Sequence, residues 1–138
     1  MFPSYRLSGT AGTGKSAIAI TVATSCEDDV LVASFFFFRS DSKLNNPSAL
    51  ILTIAHGLVV NVSFVKGSIN RRISSDPTIL EVKLEEQFQE LVLKPLAKRT
   101  WWRRVFDTIS HQKKGPILVI IDGLDECNDE ETNCTFSP

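Results

Sequence analysis

Gly9-Thr10-Ala11-Gly12-Thr13-Gly14-Lys15-Ser16 fits the spacing G-x-x-x-x-G-K-[ST] of a phosphate-binding loop. In such a loop the glycines let the main chain take turns that a side chain would block, so successive N–H groups can point at phosphate oxygens. Lys15 then reaches the β- and γ-phosphates, and the Ser16 hydroxyl ligates Mg²⁺. The apolar run from Ala17 to Ala23 predicts a helix whose first amides and positive dipole end complete the anion site. Gly9 through Ala17 are therefore the candidate nucleotide-binding residues. Tyr5-Arg6-Leu7-Ser8 predicts a short strand running into the loop, giving the strand–loop–helix setting the motif requires. The competing reading is a surface turn rich in Gly and Thr, which that setting disfavours.

Working outward, the chain has 138 residues, room for one domain. It is 43% hydrophobic and 22% charged, with a mean hydropathy of +0.03, an ordinary globular composition. No apolar run reaches the roughly 18 residues that span a bilayer, and no secretory signal precedes the loop. The cysteines Cys26, Cys127 and Cys134 show no metal-ligand spacing and suit a reducing compartment, so the expected location is cytoplasmic. The net charge of −1 is unevenly spread. Lys94, Lys98, Arg99, Arg103, Arg104, Lys113 and Lys114 form a basic stretch around Trp101-Trp102, which reads as a solvated face rather than a specific nucleic-acid surface.

Val30 to Phe38 is apolar without alternation, the pattern of a strand buried on both faces of a parallel sheet. Arg39 to Asn46 reads as a loop, with Asn46 capping a helix that opens on Pro47 and presents Leu50, Ile51, Ile54, Leu58 and Val59 on one face. His56, alone in that helix, reads as packed or solvated. A shorter helix is expected over Val65 to Ile73, and another start at Asp76-Pro77. Leu84, Phe88, Leu91 and Val92 recur at helical spacing in a helix expected to end near Pro95.

Ile117-Leu118-Val119-Ile120-Ile121 is the clearest strand, and Asp122-Gly123-Leu124-Asp125-Glu126 follows it directly. An aspartate at the tip of a buried strand is the partner a phosphate loop needs. Asp122 would hold Mg²⁺ opposite Ser16, both at strand ends where ligands of open α/β sheets bind. Glu126, and Asp125 beside it, are the candidate catalytic acids that would orient or deprotonate an attacking water.

GTAGTGKSAIAI, ASFFFFRSD, NNPSALILTIAHGL, SSDPTIL, LEEQFQELVLKPL and LVIIDGLDEC together resemble the NACHT-type P-loop domains of fungal signal-transduction NTPases, often labelled nephrocystin-like N-terminal domains. Gly123, Asp125 and Glu126 match the small residue and two acids that follow the metal-binding aspartate there. The resemblance implies a three-layer α/β P-loop fold with a parallel sheet, and a switch operated by ATP, or GTP, with Mg²⁺. Its partners would be other domains or copies of the full-length chain, with no membrane involved.

By that resemblance residues 5–127 form a partial domain, incomplete on its C-terminal side, and 128–138 a disordered tail. A strand expected between the loop strand and the Asp122 strand would be missing, leaving apolar edges unpaired. Weak nucleotide binding and poor hydrolysis are the expected consequence. Two alternatives stand beside the switch: a non-functional gene fragment, and a P-loop kinase or ATPase using Arg103-Arg104 as a lid.

Overall fold

The computed structural model of the chain describes residues 4–26, 31–97 and 117–126. They form an α/β arrangement that is mostly helical, around a parallel pair of strands. Helix α1 (Lys15–Ser25) is followed by strand β1 (Leu31–Phe36), then helices α2 (Pro47–Asn61) and α3 (Ser63–Ser75). A 3₁₀ turn (Pro77–Leu80) leads into α4 (Leu84–Phe88), and strand β2 (Leu118–Asp122) ends in a second 3₁₀ turn (Leu124–Glu126).

The second helix forms where local chemistry dictates. The Asn46 side chain accepts a hydrogen bond from the Ser48 N–H at 2.9 Å, and Pro47 occupies the first turn, where its missing N–H costs nothing. Leu50, Ile51, Ile54, Ala55 and Leu58 are buried on one face of α2, which lies against β1. The opposing strand contributes Ala33, Phe35 and Phe37, whose two rings meet edge to face with centroids 4.9 Å apart. Val65 and Ile69 of α3, Ile79 of the 3₁₀ turn and Leu91 close the same core. His56 is exposed, as the solvated reading expects.

Two sequence expectations are corrected. Tyr5–Ser8 is not a strand: it pairs with nothing among the described residues, and Tyr5 is 95% exposed. A strand is made by its ladder, and four residues without a partner cannot supply one. Second, β1 is deeply buried on one face only. Ala33, Phe35 and Phe37 point to α2, whereas Ser34 and Phe36 are half-buried, which is the alternation of a half-covered strand. The fourth helix runs to residue 97, two residues past the Pro95 near which its end is expected and the last residue described there. A wide π turn over Gln89–Leu93 intervenes, in which the Lys94 N–H bonds to the Gln89 carbonyl, and residues 94–97 continue as helix. Widening the turn absorbs the proline ring and its missing donor, so the helix passes through with Pro95 buried.

The strands run parallel, pairing Ala33 with Val119, Ser34 with Ile120, Phe35 with Ile121 and Phe36 with Asp122. A register shift between Leu31 and Ala33 puts one extra residue in β1. Each strand has one strand neighbour among the described residues. Helix α1 lies against β2, yet Ile18, Ile20 and Val22 stay 50%, 50% and 42% exposed. Among the described residues no helix is long and apolar enough to cross a membrane. The basic stretch from residue 98, its tryptophans, and the proposed tail 128–138 lie outside the described residues.

Candidate functional site

The loop folds back over itself before α1 begins. The Thr13 hydroxyl donates to the Thr10 carbonyl at 2.8 Å, and the Lys15 ammonium donates to the carbonyls of Gly9 and Thr10, both at 2.8 Å. An ammonium carries three N–H donors, so one remains for an incoming anion. Gly12 and Gly14 have φ of +78° and +80°, and nothing lies within 4 Å of the point where a Cβ would sit at either. The main chain is thus open to close approach on that side.

Gly14 caps α1 with no side-chain hydrogen bond, and the first intrahelical bond runs from Ile18 N–H to the Gly14 carbonyl at 3.0 Å. Among the described residues the N–H groups of Lys15, Ser16 and Ala17 therefore have no acceptor, and the Ser16 hydroxyl is exposed and unpartnered. Thr10 and Ala11 are exposed at the loop's crest.

The acidic end of β2 is built against the end of β1. The Phe37 N–H donates to the Asp122 main-chain carbonyl at 2.9 Å. Gly123 then turns the chain at φ +71°, and the Glu126 N–H closes the 3₁₀ turn on the Gly123 carbonyl at 2.8 Å. Glu126 Oε2 accepts from the Arg39 N–H at 3.0 Å, and the Asp125 carbonyl accepts from the Arg39 guanidinium at 3.1 Å. Asp125 itself is exposed.

Two groups of sequence-predicted residues therefore stand out. Gly9 through Ala17 form one continuous arch at the start of α1. Asp122, Asp125 and Glu126 form one turn at the end of β2, the strand that α1 lies against. No cluster of three or more Asp, Glu, His or Cys among the described residues is arranged as a metal cage.

A family model described as Nephrocystin 3, N-terminal matches residues 3–137. The chain belongs to that family. The match runs through the Gly9–Ser16 stretch, both strands and the acidic turn of this nephrocystin 3 N-terminal domain. No curated protein and no solved structure matches the chain.

Arg39 is the residue that sequence reading missed. By sequence it falls in a loop, and its contacts lie 86 and 87 positions away. Its place as the first polar residue after an apolar strand was the only local signal.

Proposed function

We propose that this nephrocystin 3 N-terminal chain is the nucleotide-binding module of a NACHT-type signal-transduction NTPase, with a P-loop fold spanning about residues 5–127. It binds ATP, or GTP, together with Mg²⁺, and the nucleotide state governs its contacts with other domains or copies of the full-length chain. The observation that carries this reading is the loop itself. Unpaired amides at Lys15, Ser16 and Ala17, one spare donor on Lys15 and open space beside Gly12 and Gly14 are what a chain of phosphates requires.

In this reading the amides of Gly9 to Ala17 bind the phosphate oxygens, and Lys15 neutralises charge on the terminal two. Ser16 and Asp122 would hold Mg²⁺, which supplies charge neutralisation across the β- and γ-phosphates when bound. Glu126 orients the attacking water and takes its proton, with Asp125 adding negative charge alongside. The water oxygen bonds to the γ-phosphorus, and the bridging oxygen leaves with the electron pair on the diphosphate. Hydrolysis is slow, as befits a switch.

Titration with a fluorescent ATP analogue, with and without Mg²⁺, tests the proposal. The expected result is saturable binding that unlabelled ATP displaces and Mg²⁺ removal weakens. Absence of saturable binding in the millimolar range would overturn it.

A further inference from the structure

We infer that Arg39 is a positioning residue for Glu126, fixing the carboxylate from the neighbouring strand rather than touching nucleotide itself. The inference rests on the nucleotide reading of the acidic turn. Two bonds carry it. The Arg39 N–H holds Glu126 Oε2 at 3.0 Å, and its guanidinium holds the carbonyl of the preceding residue, Asp125, at 3.1 Å. One residue thereby constrains both the carboxylate and the backbone that carries it.

Arg39 is itself held. Its carbonyl accepts from Asn45 Nδ2 at 3.2 Å, the Phe38 N–H bonds to the Leu44 carbonyl at 3.1 Å, and the Asn45 N–H bonds to the Asp41 carbonyl at 2.9 Å. The turn from Phe38 to Asn45 is a closed unit mounted directly on β1, so it supplies a rigid support. A short 3₁₀ turn such as Leu124–Glu126 has little rigidity of its own, and a carboxylate that must aim a water needs sub-ångström placement.

Arg39→Ala keeps the main-chain donor but releases the Asp125 carbonyl, letting the acidic turn drift. The test compares the unaltered chain, Arg39→Ala, Glu126→Gln and the double variant. Single-turnover phosphate release and Mg²⁺–ATP affinity are measured on each, after a urea midpoint shows that each is folded. The expected result is a loss of about 10-fold or more in release for Arg39→Ala, an affinity within about 2-fold, and no further loss on adding Arg39→Ala to Glu126→Gln. An affinity that falls in step with the rate, an unchanged rate, or losses that multiply in the double variant would overturn the inference. So would an unaltered chain that binds nucleotide but releases no phosphate, since there would be no reaction to aim. That outcome leaves nucleotide binding standing, whereas loss of binding by the unaltered chain would sink the wider reading instead.

Discussion

Gly123 passes so close to Phe37 that a Cβ on it would lie 2.8 Å from the Phe37 carbonyl oxygen. This contact locks the acidic turn to the end of β1, and it tolerates only a bare α-carbon. The positive φ of +71° adds a second reason for glycine.

Gly123→Ala is therefore expected to cost about 1–3 kcal/mol and to shift the turn that carries Asp125 and Glu126. Urea unfolding of the variant measures the loss. A midpoint equal to that of the unaltered chain would mean that the two strand ends are not packed this closely.

Gln87 is 1% exposed, and its Nε2 donates to the carbonyls of Leu80 at 2.8 Å and Val82 at 3.3 Å, tying the 3₁₀ turn to α4. Its Oε1 has no partner among the described residues. Gln87→Ala strands both carbonyls and should cost about 1–3 kcal/mol. Gln87→Glu should be worst at neutral pH, because burial raises the folded pKa of a carboxyl. Its stability, followed by thermal melts, should recover as pH falls through the ordinary carboxylate range; a pH-independent deficit would contradict this.

Acid sensitivity should centre on the ion pairs joining α3 to the π turn. Glu90 accepts from Lys94 and, at 3.0 Å, from Arg72, and these bonds hold its carboxyl below the usual range, with Lys94 the larger cause. Asp76 is also held low, first by the Thr78 hydroxyl and then by Arg72 at 3.3 Å. Both groups bind protons more readily in the unfolded chain. Their stabilisation is present above the ordinary carboxylate pKa of about 4 and is lost as pH falls below it. Urea midpoints from pH 7 to pH 3 should fall through that window, and Glu90→Gln should make the fall shallower. Parallel curves for the two proteins would assign acid sensitivity to other groups.

Elements decided by neighbouring residues were legible in the sequence. The Asn46 cap with Pro47, the aliphatic run of β2 and the arch from Gly9 to Ser16 all depend on contacts a few positions long. What failed depended on distant partners. Tyr5–Ser8 has strand-compatible residues and no strand to join among the described residues. The grip of Arg39 on the turn around Glu126 brings together residues that only the parallel pairing of β1 and β2 makes neighbours.

The most direct measurement is equilibrium dialysis of Mg²⁺–ATP against the unaltered chain and Lys15→Ala. Among the described residues the Lys15 ammonium bonds only to the carbonyls of Gly9 and Thr10 in its own loop, so the variant should keep its fold within about 1 kcal/mol. Losing a charge-assisted contact to phosphate should weaken binding by at least about 10-fold. Equal retention of nucleotide by the two folded proteins would contradict the claim that this loop is a phosphate site.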